Sequence, residues 1–236
     1  MARQPRLNLA DIPQHIIQRG NNKINCFFHQ RDFAYYLKLL KEYADKFDVS
    51  VHAFVLMSNH VHLLLTPSSS CGVSQMMQSI GRCYVRYFNL SYERTGTLWE
   101  GRYKSCLVDS ENYFLEVSRY IELNPVRANI CSSPEQYAWS SYHANGLNKE
   151  IALITPHPLY EGLAQTKEQR KKVYRLFVNA PVDNEQTQLI RKSVNKDSVL
   201  GSAIFKTKLS SLLGKAVDRS THGGDRKSAK FRNQRL

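Results

Sequence analysis

The chain has 236 residues, 42% of them hydrophobic, and carries 33 Lys plus Arg against 20 Asp plus Glu, a formal charge of +13. That length suits one large domain or a domain with an appendage, and that apolar content excludes a disordered chain. The basic excess favours a polyanionic partner, nucleic acid ahead of a membrane surface, and no stretch is long and apolar enough to span a bilayer.

The N-terminal stretch "MARQPRLNLADIPQHIIQRG" lacks the apolar core of a signal peptide, so export is not expected. Within it, "QHIIQRGNN" reads as a short strand ended by a Gly-Asn-Asn turn. "RDFAYYLKLLKEYADKF" then sets Phe33, Tyr36, Leu37, Leu40, Tyr43, Ala44 and Phe47 at helical spacing. "VHAFVLM" and "HVHLLLT" predict two strands joined by a tight "SN" turn. From Val73 to Tyr92 a second long helix is predicted, with Met76, Met77, Ile80, Tyr84, Tyr87 and Phe88 in one stripe. A strand at Tyr103 to Asp109 leads into a third helix, capped by Asp109 or Ser110 and stopped near Asn124-Pro125.

The order β-α-β-β-α-β-α is a split βαβ pattern. It predicts an α+β, ferredoxin-like antiparallel sheet with helices on one face. Past about Ala144 the character changes, with helices expected at Lys167 to Val178 and Glu185 to Val194. Residues 1–145 therefore read as one domain and 146–236 as a helical C-terminal region. Its last stretch, from Lys215, is basic and poor in apolar residues. It suits a phosphate backbone, and a solvated tail without a partner is the other reading. The five cysteines form no C-x-x-C pair, which argues against a disulfide framework or a zinc cage and fits free thiols in a reducing cytoplasm.

Side chains alternate along a strand, so His60 and His62 of "HVHLLL" share one face while Val61, Leu63 and Leu65 take the other. Two imidazoles so spaced can reach one metal ion. Taken alone, the pair fits two structural histidines equally well. The third helix adds a second feature: Phe114, Val117 and Ile121 form its buried stripe, and Tyr113, Glu116, Tyr120 and Asn124 a neighbouring row. Tyr120 and Asn124 lie one turn apart. A phenol and a carboxamide in that relation suit a nucleophile and a metal ligand at one site, the alternative being one structural tyrosine among 13.

"HVH" on a strand, followed by "RTGTLWEGRYKS" and then "RYIELNPVRANI", resembles the REP-associated tyrosine transposases. These are a branch of the single-tyrosine, His-hydrophobic-His (HUH) insertion-sequence transposases. The resemblance covers roughly residues 3–142. It implies a ferredoxin-like sheet carrying the histidine pair, with the nucleophile on a helix. His60 and His62 match the metal-binding pair, Tyr120 the nucleophile, and Asn124 the third ligand, a position often held by the longer Gln. It further implies Mg²⁺ or Mn²⁺, attack by the Tyr120 phenol to leave a 5′-phosphotyrosine, and single-stranded or hairpin DNA at repetitive extragenic palindromes as substrate. A phenol ionises near pH 10 and needs a nearby cation to react at neutral pH. Candidate DNA contacts are Arg82 and Arg86 on the second helix, Arg94, Arg102 and Lys104 around "TGTLWEGRY", and Trp99 and Tyr103 as stacking platforms. A solvated basic face and a core Trp are the plain alternatives. Two competing functions remain: a DNA-binding protein of the same fold without cleavage, and a metal-dependent hydrolase of a small molecule. Monomer and homodimer are equally open, and a place at the nucleoid in the cytoplasm is expected.

Overall fold

The structure, a computed structural model, describes residues 6–217. All but Lys215, Ala216 and Val217 of the basic C-terminal stretch therefore lies outside the described residues. Five strands form one sheet in the order β2-β3-β1-β4-β5. They are β1 (Gln14–Arg19), β2 (Val49–Met57), β3 (His60–Pro67), β4 (Lys104–Val108) and β5 (Val199–Leu200). All neighbours pair antiparallel except β4 with β5. The helices α1 (Gln30–Lys46), α2 (Gly72–Ser91) and α3 (Ser110–Glu122) fall where periodicity predicts them. After α3 come α4 (Asn124–Arg127), α5 (Tyr142–Asn145), α6 (Pro158–Glu161), α7 (Lys167–Asn179), α8 (Asn184–Asn195) and α9 (Ala203–Leu213).

Strand alternation divides the apolar residues into two cores. Ile16, Phe54, Leu56, Val61, Leu63 and Leu65 pack with Tyr36 and Leu40 of α1 and Met76, Ile80 and Tyr84 of α2. On the opposite face Ile17, Ala53, Val55, Leu64 and Cys106 meet Phe114, Val117, Tyr120 and Ile121 of α3 and Ile190 and Val194 of α8. Each such side chain contributes roughly 1.5–3 kcal/mol when fully buried. Helices thus cover both faces, which corrects the expectation of one. The split βαβ pattern places only α1 and α2; α3 follows the last long strand, and its apolar stripe fits either face.

The C-terminal region shares these cores. β5 extends the sheet beside β4, and Ile190, Val194 and Leu200 pack with α3. Packing runs continuously across the boundary expected at 145/146. The free edge of β2 is covered by the chain itself, through Leu56 N–H to Trp139 O, Ser141 N–H to Phe54 O and Thr155 N–H to Val51 O.

Two local features aim the site. The tight turn at Ser58-Asn59 sets Met57 opposite His60, and its Ser58 carbonyl accepts from the N–H groups of Cys26 and Phe27. At the other side Pro125, with no N–H to give, ends α3 at Glu122. The chain restarts as α4, where Pro125 sits in the first turn and a missing N–H costs nothing. Asn124 accordingly opens a new turn and does not close α3.

Candidate active site

β3 carries His60 and His62, with ring centroids 5.1 Å apart. α3 crosses that face of the sheet and brings the Tyr120 ring to 5.8 Å from His62, edge-on. A phenol from a late helix and a histidine pair from a central strand therefore meet. Asn124 is half-buried, with Nδ2 3.4 Å from the Tyr120 carbonyl. This ties it to the nucleophile candidate and not to the imidazoles.

Each histidine is held through Nδ1. His60 Nδ1 lies 2.6 Å from Asn59 Oδ1, and His62 Nδ1 lies 2.9 Å from Nε2 of His15. An amide oxygen only accepts, so His60 Nδ1 bears the proton and its Nε2 is a lone pair. Among the described residues neither Nε2 of the pair is engaged. Burial, with help from Arg19, lowers His60 to about 4. Burial followed by His60, His15 and the arginines Arg127 and Arg19 puts His62 well below its ordinary range. Both rings are neutral at physiological pH, the state in which imidazole ligates. Among the described residues no group of three or more His, Cys, Asp or Glu is arranged to hold a metal. What the described residues offer a cation here is the pair of imidazoles, while the Asn124 carboxamide is engaged with the Tyr120 carbonyl. Two neutral imidazoles fit a divalent ion that keeps open positions for water or phosphate oxygen.

Two residues in this cluster escape sequence reasoning. His15 of β1 is fully buried, its ring stacked on His62 at 5.2 Å and edge-on to Tyr120 at 5.7 Å. Only the register of β1 against β3, which sets Ile17 opposite His62, brings it there. Arg127 of α4 lays its guanidinium 4.1 Å from the centre of the Tyr120 ring and donates through Nη2 to the Tyr120 carbonyl. Burial lowers its pKa, and interaction with Tyr120 opposes that shift. Its signal was the motif "NPVR" one turn past the tyrosine.

Tyr120 itself is only 6% exposed. The cavity beside it has about 10 Å³, room for one water, and its walls include Val182 together with Gln186, Thr187 and Ile190 of α8. A nucleotide reaches the phenol only if these contacts open.

The predicted DNA contacts divide. Arg82, Arg86 and Arg102 are exposed and line one groove of about 760 Å³, joined there by Arg6 and Gln18. Trp99 and Tyr103 form part of its wall. They are 5% and 7% exposed, Trp99 stacking on Tyr84 and Tyr103 lying under Arg6, so their rings are core and offer little face to a base. Arg94 lies away from this groove, 5.6 Å over Phe88. Lys104 points to Asn195 of α8 at 3.0 Å. The groove opens on the α2 side of the sheet, opposite the histidines and Tyr120. No described helix is long and apolar enough to cross a membrane.

Residues 8–124 match the family model described as IS200-like transposase. Among solved structures, a REP-associated tyrosine transposase bound to a REP hairpin is similar over 66% of this chain and 99% of its own, at 13% identity and a TM-score of 0.52. That likeness is one of fold. A candidate transposase from Deinococcus radiodurans R1 aligns over 51% of this chain and 96% of its own, at 22% identity and a TM-score of 0.34. A bacterial tRNA(His) guanylyltransferase-like protein in complex with GTP aligns over 52% and 70%, at 12% identity and a TM-score of 0.34. No curated protein matches.

Proposed function

We propose, from the premise that residues 8–124 place this chain in the IS200-like transposase family, that it cleaves and rejoins single-stranded DNA beside palindromic hairpins through the phenol of Tyr120. The observation that carries the reading is the meeting of the Tyr120 ring with His62 across the sheet-helix interface, at 5.8 Å. A divalent ion, Mn²⁺ or Mg²⁺, held by His60 and His62 with Asn124 as the third donor, would supply Lewis-acid polarisation of the scissile phosphate.

The chain's own residues do the rest. Tyr120 gives up its phenolic proton and its oxygen attacks phosphorus in line. The bond from phosphorus to the 3′-oxygen breaks, and that oxygen takes up one proton, matching the one the phenol released, and leaves as a 3′-hydroxyl. The 5′ end remains on Tyr120 as a phosphodiester, so a second 3′-hydroxyl reseals it by the reverse exchange without ATP. Arg127, stacked on the ring and bonded to the Tyr120 carbonyl, places a cation beside the attacking group. The REP hairpin seen with the solved structure of similar fold supports a hairpin as the partner. In this chain Arg82, Arg86 and Arg102 would hold its phosphates in the groove on the α2 side.

Intact mass after incubation with palindromic oligonucleotides and Mn²⁺ tests the reading. The wild type gains the mass of a DNA fragment and Tyr120→Phe gains none; equal adducts, or none in either, refute it. One observation favours a second reading, a DNA-binding protein without cleavage: the closed surroundings of Tyr120. Tight binding of the same oligonucleotides with no SDS-stable adduct would establish it.

A further inference from the structure

The bond between His15 and His62 carries information that the metal-binding reading leaves unused. The two imidazoles meet Nε2 to Nδ1 at 2.9 Å, inside a core where His15 has no exposed surface. Two neutral rings share one proton in such a bond, and only two arrangements exist. In the first, His62 donates from Nδ1 and His15 accepts at Nε2; His62 then keeps a lone pair on Nε2. In the second, His15 donates and His62 accepts; His62 then bears its proton on Nε2, which blocks that nitrogen as a ligand. The partner ring therefore decides whether His62 can bind a cation.

The second ring nitrogen of His15, Nδ1, is left out of this arrangement. It is buried with no hydrogen-bond partner among the described residues. An orphaned buried polar group costs about 1–3 kcal/mol. A phenylalanine of similar shape would remove that orphan but leave the Nδ1 of His62 unpaired in its place. The His60 side follows the same plan, with Asn59 Oδ1 holding its Nδ1 proton. Each histidine of the pair is thus gripped at Nδ1 by a neighbour, one from the turn and one from β1.

We propose that His15 is a positioning residue for His62: it accepts the Nδ1 proton, fixes the ring's orientation and tautomer, and leaves Nε2 as the donor atom. This rests on the reading that His60 and His62 hold a divalent ion. It extends that reading to a residue outside the His-Val-His motif. Partners of this kind typically change metal affinity by about 10–100-fold.

The test uses the full chain and Mn²⁺ alone, with no DNA. Histidine-selective ¹⁵N NMR of the metal-free protein reads the tautomer, with signals assigned through His15→Phe, His60→Ala and His62→Ala. Mn²⁺ binding is followed by electron paramagnetic resonance, and thermal unfolding is recorded for each variant. The expected results are a protonated Nδ1 on His62, and an Mn²⁺ affinity about 10–100-fold weaker in His15→Phe. The Phe variant exchanges one unpaired buried nitrogen for another and should melt near the wild-type temperature. In His15→Gln a carboxamide oxygen can still accept, and affinity should return to within a few fold of wild type. A protonated Nε2 on His62 in the wild type, or unchanged Mn²⁺ affinity in His15→Phe, overturns the proposal. Failure of the metal reading looks different: wild type and His62→Ala take up Mn²⁺ equally or not at all, while the tautomer still reports on His15.

Discussion

Removing the carboxylate of Asp32 tests how the scaffold holds the His60 turn. This side chain is buried in the first turn of α1 and accepts four hydrogen bonds. Oδ2 takes the N–H groups of Phe28 and His29 at 2.8 and 2.9 Å and the Tyr92 hydroxyl at 2.6 Å, and Oδ1 takes the Tyr87 hydroxyl at 2.7 Å. It therefore ties α1 to the end of α2 and fixes residues 26–29, whose N–H groups at Cys26 and Phe27 brace Ser58 beside His60. Hydrogen bonds to a charged group contribute about 1.5–3 kcal/mol each, though not additively. Asp32→Ala strands two hydroxyls and two N–H groups and should cost about 4 kcal/mol. Asp32→Asn keeps an acceptor for Oδ2's partners and should cost about 2 kcal/mol.

At about 2–4 °C per kcal/mol for a chain of this size, the Ala variant melts roughly 8–16 °C lower at pH 7. The pH dependence has a definite sign. Burial alone would raise the Asp32 pKa, but the bonds from Tyr92, His29, Tyr87 and Phe28 outweigh it, and the pKa is depressed. The stabilisation is therefore present above the unfolded value near 4 and is lost as pH falls through the lower folded value. Thermal unfolding from pH 2 to 7 reads this directly: wild type and Asp32→Asn should differ most above pH 4 and converge in acid. A constant difference across the range, or an Ala variant as stable as wild type, would refute the reasoning.

The other predictions concern chemistry and binding. Arg82→Glu and Arg86→Glu should each weaken binding of hairpin oligonucleotides; the neutral Gln variants should flatten the slope of log affinity against log salt by about one per contact, by fluorescence anisotropy. Arg127→Gln removes the cation beside the phenol and should slow adduct formation by about 10²–10³ at unchanged oligonucleotide affinity, in single-turnover gels. Ile190→Ala trims the α8 wall over Tyr120; it should lower stability by about 2–4 kcal/mol in urea titration yet raise the rate of adduct formation, and a slower rate would argue that the cover is needed for catalysis.

How far the sequence could be read depends on the range of the information each feature needs. The placement of His60 and His62 on one face follows from alternation within four residues, and the α1, α2 and α3 stripes from periodicity within one helix. His15 joins them only through strand pairing that brings it to His62, 47 residues on, for which "QHIIQR" carries no local sign. β5 has two residues, too few to show a period, and enters the sheet because Val199 and Leu200 complete a face already built by β4. The end of α3 was legible from Pro125, but not the restart that turns Arg127 back onto Tyr120. Trp99 and Tyr103 show the limit of residue type. The same aromatic rings serve as stacking platforms or as core, and only their burial here decides for core.

One strand connects the two halves of the proposed function. β1 lies at the centre of the sheet, between β3 and β4, and its side chains alternate between faces. Gln18 looks into the arginine-lined groove, while His15 reaches His62 from the opposite side. Duplex phosphates would thus be gripped on one face and the reactive strand would be cut on the other. A hairpin in the groove must then send its single-stranded flank around an edge or end of the sheet. On the β4 side that path meets α8, whose Asn195 holds Lys104 and whose Ile190 borders Tyr120. On the proposed reading the same helix would bear on both the route of the strand and the exposure of Tyr120, although its residues supply none of the reacting groups.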